Sequence, residues 1–357
     1  MATDSGKSKK TGKRARVVDA LRQRILTGLL SPGHQLPSRE ALVASFAVSP
    51  VTVQQALEQL KSDGFVYGRQ GAGVFVVDHP PHLTNFALAF YDHPHGSEYE
   101  RFSRFFQALN AAGNDYQDEH ARRVSPFYNC NGLCESPNYC QLADDVYAQR
   151  VAGLIFAFPP HRLPGSPLVT FPRLPRVAIG TGEDFGIPAV GPDHEEMLRQ
   201  AVAHLAQHGR RRIASISHVH NVPRKEMLFG AMQQCGLPVV PYWHQYQDHL
   251  HPEAAFNCAQ LLLNPNQTER PDALFIADDN LAEAAVAGVA AAGHRVPEEV
   301  EVIVHCNWPL PPKTVLPVTR IGFDCRELLE ACISELNRQR QGRSGHGTIL
   351  MPPKLEG

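Results

Sequence analysis

The feature that most constrains this chain is residues 36–77, "LPSREALVASFAVSPVTVQQALEQLKSDGFVYGRQGAGVFVV". Two segments with helical apolar spacing lie close together in it, and a serine precedes each one. Ser38 and Ser49 can therefore cap two helices, because a serine oxygen accepts hydrogen bonds from the free N–H groups of a first turn. Pro50 fits the first position of the second helix, where its missing N–H costs no bond. Two β-rich runs follow, "FVYGR" and "GVFVV", and they predict a hairpin.

The second predicted helix has two different faces. Val53 and Leu60 belong to an apolar face that ends at Gly64, a residue suited to the left-handed end of a helix. The other face is polar, and a glutamine in the major groove can bond both edge atoms of adenine. With a third helix upstream over residues 17–25, this is the layout of a winged helix, which predicts double-stranded DNA as a partner. The residues expected to contact DNA are Arg39, Ser49, Thr52, Gln54, Gln55, Arg69, Gln70 and Gly71.

The charge distribution supports a nucleic-acid partner for the N-terminal part alone. Residues 1–77 hold 11 Lys and Arg against 5 Asp and Glu, whereas the rest of the chain holds 23 against 31. Only a basic surface is suited to approach a polyanion. Residues 1–13 are predicted to be a flexible basic arm that reaches phosphates or a minor groove. The alternative is a solvated terminus without a role in binding.

Length and composition limit the remaining possibilities. A chain of 357 residues predicts two or three domains. The sequence has neither an apolar run of about eighteen residues nor the apolar core of a secretion signal, so we expect a cytoplasmic protein without a membrane partner. Its eight cysteines are then expected to be thiols. Cys130, Cys134 and Cys140 lack the spacing of a structural zinc site, so no metal is expected there.

Residues 14–77 resemble the winged-helix domain of the GntR family of bacterial transcription regulators. The matching segments are "LRQRILTGLLSPGHQLPS", "FAVSPVTVQQALEQLKSDGFV" and "GAGVFV". The chain departs from the family at three positions that usually hold arginine and here hold Glu40, Pro50 and Gln54, while Arg39 is shifted by one. Such arginines contact phosphates and bases, so we expect a DNA target that differs from the usual one of the family.

The rest of the chain predicts a second architecture. Residues 78–85 include "DHPPHLT", which breaks helix and strand patterns and indicates a linker. Strand and helix patterns alternate over residues 86–351, and residues 352–357 are predicted to be a tail. Such alternation indicates parallel sheets covered by helices, and its length favours two subdomains. The predicted fold class is α/β, with an N-terminal winged helix (α+β) followed by two Rossmann-like parallel-sheet subdomains.

This second part resembles the sensor domain of the LacI/GalR family, which is related to periplasmic sugar-binding proteins. The matching segments include "VAGLIF", "PRVAIG", "VGPDHEEMLRQAVAHLAQHGRRRIASIS", "LFIADDNLAEAAVAGVAAAGHRVPEEVEVIV" and "VTRIGFDCRELLEACI". The resemblance implies a type I periplasmic-binding-protein fold and a small-molecule, carbohydrate-like effector between the subdomains. A GntR-type domain joined to this sensor is similar to the arabinose-type repressors, which implies a homodimer.

Candidate effector contacts follow from the rule that ligands of open α/β sheets bind beyond the carboxyl ends of the strands. Carboxylates and arginine hold sugar hydroxyls, and an aromatic ring covers the apolar face of a sugar. Asp193 and Asp279 have an alternative role as helix caps, so Asp278 is the predicted contact of the adjacent pair. Trp308 has the alternative role of packing its loop. The predicted effector residues are Phe90, Tyr91, Phe158, Asp193, Arg224, Asp278, Asn307 and Trp308.

Two departures from the sensor family keep a second function open. Met227 stands where the family often has an arginine that clamps the ligand, and residues 304–307 replace a Gly-x-Asp-Asp segment. A ligand-independent DNA-binding dimer with a degenerate sensor is therefore the alternative to an effector-controlled repressor. The sequence lacks a phosphate loop with lysine, H-E-x-x-H and G-x-S-x-G, so neither enzymatic activity nor a cofactor is expected.

Overall fold

The computed structural model describes residues 12–92, 103–118, 121–133, 136–181, 186–343 and 347–356. These residues form a helical unit with a two-stranded hairpin, and two six-stranded sheets flanked by helices. The predicted α/β fold class, a winged helix before two parallel-sheet subdomains, is confirmed. Among the helices described, none combines the length and apolar character that crossing a membrane requires.

The N-terminal unit, which we call the head (residues 12–77), folds as its local signals predict. The hydroxyl oxygens of Ser38 and Ser49 each accept a hydrogen bond of 3.2 Å from the backbone N–H three residues later. Gly64 has a φ of 78°, a left-handed conformation that glycine adopts without steric cost. Val53 and Leu60 are fully buried in the core. The elements of the head are α1 (Lys13–Leu26), α2 (Arg39–Phe46), α3 (Pro50–Ser62), β1 (Val66–Arg69) and β2 (Gly73–Val76).

The segment predicted as a linker is not an irregular loop throughout. Pro81–Thr84 forms a one-turn helix, α4, with proline at its first position. His82 in this helix stacks on Phe65 of the head, with ring centroids 5.7 Å apart. Burial lowers the pKa of His82 to about 4, so the ring is neutral at pH 7 and packs as an aromatic surface. The linker therefore packs against the head.

Beyond α4, strands and helices alternate as predicted. In chain order these elements are β3 (Asn85–Ala89), α5 (Arg104–Asp115), β4 (Arg123–Phe127), α6 (Pro137–Tyr147), β5 (Gly153–Phe156), α7 (Pro167–Thr170), β6 (Arg176–Ile179), β7 (Ala189–Pro192), α8 (His194–Gln207), β8 (Ile213–His218), α9 (Lys225–Gln234), β9 (His244–Gln247), α10 (Pro252–Leu262), β10 (Ala273–Ile276), α11 (Asp279–Ala291), β11 (Glu301–Trp308), β12 (Thr319–Asp324), α12 (Cys325–Arg340), β13 (Thr348–Met351) and β14 (Lys354–Glu356).

The strands form two sheets that define two lobes. The first sheet has the order β13-β7-β6-β5-β3-β4 and only parallel neighbours. The second has the order β14-β12-β11-β10-β8-β9 and is parallel except for β14. We call the first sheet with α5, α6, α7 and α12 the first lobe, and the second with α8 to α11 the second lobe. The chain passes between the lobes after β7, β12 and β13, so the lobes are linked by three connections.

Five strands in this architecture have no counterpart in the sequence prediction, namely β4, β7, β9, β13 and β14. The predicted tail contains β14, which pairs with β12. β4 and β9, with the sequences "RVSPF" and "HQYQ", are the outer strands of their sheets. β7 is an inner strand of four residues with the sequence "AVGP". The other four lie at sheet edges, where one neighbour suffices and a continuous apolar run is not needed. Their weak sequence signal follows from that position.

Gly322 of β12 lies so close to β11 that a side chain does not fit. A Cβ atom there would lie 1.8 Å from the carbonyl oxygen of Cys306. Because a backbone oxygen cannot rotate away, we expect Gly322→Ala to lower the free energy of unfolding by about 1–3 kcal/mol in urea denaturation. Gly230→Ala in α9, where the surrounding space is open, is the matched control and should raise stability by about 0.5–1 kcal/mol. Equal stability of Gly322→Ala and wild type would contradict this strand spacing.

Candidate DNA-binding surface and effector cavity

The outer face of α3 presents two glutamines in different states. Gln55 is exposed, whereas Gln54 is half-buried and donates a hydrogen bond of 2.6 Å from Nε2 to Oε1 of Glu58. Gln54 must give up this bond before it can contact a base. Gln55 is therefore the stronger candidate for reading adenine in a major groove.

The other residues predicted to contact DNA lie at the ends of elements. Oγ of Ser49 accepts the backbone N–H of Thr52 and lies 2.8 Å from the Thr52 hydroxyl. Both hydroxyls thus support the start of α3, and their role in DNA contact stays a prediction. The remaining four, all exposed, are Arg39 at the first position of α2 and Arg69, Gln70 and Gly71 at the hairpin tip.

The predicted basic arm overlaps only slightly with the described residues. Residues 1–11 lie outside them, and Lys13 already opens α1, so the last residue of the predicted arm is helical. Farther along α1, Arg16 donates a hydrogen bond of 2.6 Å to the carbonyl oxygen of Phe46. This arginine therefore holds α1 against the end of α2, where unpaired carbonyl groups favour a cation.

A cavity of about 350 Å³ lies between the two lobes. Its walls include residues that follow strands of both sheets, such as Gly180 after β6 and Ala277 after β10. Ligands of open parallel sheets bind at this position. The first lobe contributes the rings of Phe105 and Phe106, and the second that of Phe323. The polar residues of the lining are Ser103, Thr181, His194, Asn221, Arg224, Asp278, Asp279, Asn280, His305 and Asn307.

Three of the eight predicted effector residues line this cavity, namely Arg224, Asp278 and Asn307. Arg224 stands just before α9 and donates a hydrogen bond of 2.8 Å to Oδ1 of Asn221. Met227, at the position where the sensor family often has its clamp, is 45% exposed and is not part of the lining. Arg224 therefore supplies a guanidinium to the cavity from one turn earlier in the chain.

The other five predicted effector residues lie outside the lining of the cavity. Phe90 and Phe158 are buried in the cores of the first lobe, where Phe158 packs edge to face against Tyr91. Asp193 accepts a hydrogen bond of 3.0 Å from the N–H of Glu196, so it acts as the cap of α8. The last two are Tyr91, whose ring lies 5.4 Å from the Arg162 guanidinium, and Trp308, which is buried at the end of β11.

The structure gives the role of helix cap to Asp278 and not to Asp279. Asp278, predicted to be the ligand contact, caps α11, because its Oδ1 accepts from the backbone N–H and the side-chain amide of Asn280 at 3.0 and 2.8 Å. Asp279, predicted to be the cap, is fully enclosed and accepts 2.8 Å from Nδ2 of Asn307. Both carboxyl groups nevertheless line the cavity.

Burial sets the charge state of the cavity. It raises the pKa of Asp279 to about 7 and lowers the pKa values of His305 and His194 to about 4 and about 2. Both imidazoles are therefore neutral at pH 7, and a neutral imidazole donates and accepts hydrogen bonds. Within the described residues, Nδ1 of His194, Nε2 of His305 and Oδ1 of Asn307 are buried without a hydrogen-bond partner. Such a lining suits a ligand with several hydroxyl groups.

Sequence reasoning missed several cavity residues because they come from separate elements. Phe105 and Phe106 lie on α5, a helix whose side chains gave no ligand signal. His194 lies two residues beyond the end of β7 and Phe323 lies near the end of β12, so the rule of strand ends could have identified these two. His305 was not missed, because it belongs to the segment 305–308, which the same rule indicates as candidate lining.

Two of the three cysteines predicted to have no metal role, Cys130 and Cys140, are among the described residues. Burial raises the pKa of Cys130 to about 12, so its thiol stays protonated. Cys140 is half-buried and forms no disulfide bond, and Cys134 lies outside the described residues.

Comparison with known proteins identifies each part of the chain. Residues 13–76 match the model of bacterial regulatory proteins of the gntR family, and residues 202–356 match the periplasmic binding protein-like domain. The arabinose metabolism transcriptional repressor of Halalkalibacterium halodurans is 23% identical over 364 residues, which cover 95% of this chain and 94% of that protein. Both resemblances in the sequence are thus confirmed.

Solved structures support the same architecture. A LacI-family regulatory protein from Chloroflexus aggregans superposes with a TM-score of 0.55 at 20% identity, over 76% of this chain and 96% of that one. The Lac repressor bound to ONPG in the repressed state gives a TM-score of 0.56 at 18% identity, over 93% of both chains. At these identities the likeness shows the fold. The chain therefore combines an N-terminal part that matches the gntR family model over residues 13–76 with a second part that matches the periplasmic binding protein-like domain over residues 202–356.

Proposed function

We propose that this chain is a cytoplasmic transcriptional repressor that binds DNA as a homodimer and is controlled by a carbohydrate-like effector. The observation that carries the proposal is the polar cavity between two lobes in a chain whose head presents the exposed face of a capped helix. A two-fold dimer would read an approximately palindromic operator. The relative from Halalkalibacterium halodurans, a repressor of arabinose metabolism by name, supports a sugar-related effector.

The mechanism follows from the position of the cavity. A ligand that contacts both lobes favours one angle between them, because it binds best when both walls are in reach. The head contacts the first lobe through Arg150, whose guanidinium lies 2.8 Å from Asp63, and through the side chains of Gln23 and Gln149. A change in lobe angle would therefore move the head. Typical coupling of about 1–3 kcal/mol changes operator affinity roughly 5- to 150-fold.

A thermal-shift measurement with a panel of neutral sugars tests the effector. We expect at least one pentose or hexose to raise the melting temperature, because a ligand that binds the native state stabilises it. Arg224→Ala should abolish this shift, since it removes the only arginine in the cavity lining of the described residues. Arg199→Ala, on the exposed face of α8, is the matched control and should keep it. Equal shifts in both variants would place the ligand elsewhere.

A ligand-independent dimer is the second candidate function, favoured by the exposed Met227 in place of an arginine clamp. Under this alternative no sugar changes either the melting temperature or the affinity for an operator selected from random DNA. The effector-controlled function predicts that the sugar which raises the melting temperature also changes operator affinity.

The substitution Gln55→Ala tests whether α3 contacts the bases of the operator. We expect it to weaken binding to the selected operator by about 1–3 kcal/mol, the usual contribution of a bidentate base contact. Affinity for random duplex DNA should stay unchanged, because that binding depends on phosphates. Fluorescence anisotropy at one fixed salt concentration measures both, and Gln207→Ala, exposed at the end of α8, is the matched control. If Gln55→Ala leaves the ratio of operator affinity to random-DNA affinity unchanged, this face of α3 does not contact the operator bases.

A further inference from the structure

The second lobe carries a cluster of two imidazoles and a carboxylate at the sheet edge opposite the effector cavity. Glu301 is the first residue of β11 and is 4% exposed. Nε2 of His204 lies 3.1 Å from Oε1 of Glu301, and Nδ1 of His208 lies 2.6 Å from the same oxygen. The two histidines are four residues apart at the end of α8, so they lie on one helix face. None of these groups takes part in the proposed function.

We propose that His204, His208 and Glu301 form a binding site for a divalent transition-metal ion of the Zn²⁺ class. Two imidazole nitrogens and one carboxylate oxygen are ligands that Zn²⁺ accepts at about 2.0–2.2 Å, and such three-residue sets leave a fourth position for water. The three ligand atoms lie within 4.8 Å of one another, so one ion can reach them all after small side-chain rotations. The His208 side chain is 52% exposed, which provides an entry path and room for that water.

The surroundings of the cluster match those of a metal ligand set. Arg210 donates from Nε to Oε2 of Glu301 at 3.0 Å and also bonds the carbonyl oxygens of Pro297 and Glu298. This fixes the carboxylate and leaves Oε1 for the ion, as outer hydrogen bonds do in metal sites. The guanidinium charge opposes a cation, so we expect weaker binding than at four-ligand structural sites.

A second cluster in the same lobe, His218 with Asp248 and His249, has a hydrogen-bond arrangement that does not suit metal binding. Nδ1 of His218 accepts a hydrogen bond of 3.2 Å from the backbone N–H of His220. Its proton must therefore sit on Nε2, which donates to Nδ1 of His249 at 2.7 Å. The His218 ring thus has no nitrogen lone pair left for a metal ion. This cluster provides a matched control.

A bound ion would connect the end of α8 to the start of β11. These elements belong to different layers of the second lobe, one a helix and the other a central strand. Because an ion that binds the folded state alone stabilises it by mass action, the ion would raise the stability of this lobe. Its effect is independent of the effector cavity.

Zinc titration of the chelator-treated full-length protein tests the proposal. We expect one equivalent of Zn²⁺ to bind in calorimetry and to raise the melting temperature by several degrees, and Co²⁺ to give the intense visible bands of low coordination number. His208→Ala should lose the Co²⁺ bands and at least tenfold in Zn²⁺ affinity, whereas His249→Ala should keep both. If the alanine variant does not fold, the same titration is made with His208→Asn, which retains a polar side chain at this half-exposed position.

Three results would overturn the site. The first is the absence of stoichiometric Zn²⁺ binding by the wild type. The second is wild-type affinity in folded His208→Ala or His208→Asn. The third is loss of the Co²⁺ bands in His249→Ala, which would assign the ion to the other cluster.

Discussion

Asp63→Ala is expected to lower the free energy of unfolding of the head by about 3–5 kcal/mol, because it removes one partner of a buried ion pair. Asp63 is 4% exposed and accepts 2.8 Å from Arg22 on one oxygen and 2.8 Å from Arg150 on the other. Gln59 donates a third hydrogen bond at 3.0 Å. Without the carboxylate, the buried Arg22 keeps the exposed Asp19, at 3.5 Å, as its one charged partner among the residues that the structure describes.

Arg150→Ala is the matched control, and it distinguishes the contribution of Arg150 from that of Arg22. Arg150 belongs to the first lobe and its side chain is 26% exposed, so Arg150→Ala leaves the buried pair with Arg22 intact. We expect it to cost about 1 kcal/mol or less. Urea unfolding followed by far-UV circular dichroism measures both variants, and operator binding reports whether the head is folded. A loss below 1 kcal/mol in Asp63→Ala would mean that Arg22 finds solvent or another partner.

Asp63 also illustrates what the sequence does not reveal. Its position just before Gly64 predicts the polar end of a helix. The structure adds that one carboxylate oxygen of Asp63 bonds Arg22 in the head and the other bonds Arg150 in the first lobe. The partner Arg150 lies 87 residues further along the chain, so no local pattern connects the two. Arg150→Ala should therefore affect the response of operator affinity to effector more than the stability of the head.

The head could be predicted almost completely because its signals are local. A capping serine, a first-position proline and a glycine after a helix each determine the backbone within a few residues. Ser38, Ser49, Pro50 and Gly64 all act as predicted. The alternation of strands and helices was sufficient to predict two parallel-dominated sheets, but not β4, β7, β9, β13 and β14.

The cavity could be predicted only in outline. The rule of strand ends located it correctly between the lobes, yet side chains near a strand end point to either side of the sheet. Phe90 and Phe158 turn into the cores for this reason, whereas Arg224 and Asn307 turn to the cavity. Phe106 reaches the cavity from a helix, and no periodicity distinguishes a ring at a cavity wall from one in a core.

Asp279→Asn is expected to change the pH dependence of the free energy of unfolding strongly. Burial, together with the negative charge of the nearby Asp278, raises the pKa of Asp279 from 3.8 to about 7. The hydrogen bond from Asn307 at 2.8 Å and the charge of Arg104 lower that pKa without offsetting the effect, and His305 lies 4.0 Å away. A carboxyl whose pKa is higher in the folded state binds its proton more tightly there, so its contribution is complete below about pH 4 and is lost as the pH rises to about 7.

One pKa unit corresponds to about 1.4 kcal/mol, so the total loss is roughly 4 kcal/mol. An asparagine keeps the shape and the neutral charge of the protonated acid and still accepts from Asn307. The variant should therefore exceed wild type in stability by an amount that grows by about 1.4 kcal/mol per pH unit between pH 5 and pH 7 in urea unfolding. Gly230→Ala introduces no titrating group and should differ from wild type by a constant amount. A constant difference for Asp279→Asn as well would mean that this carboxylate is charged in the folded protein, in contact with water or with a cationic partner.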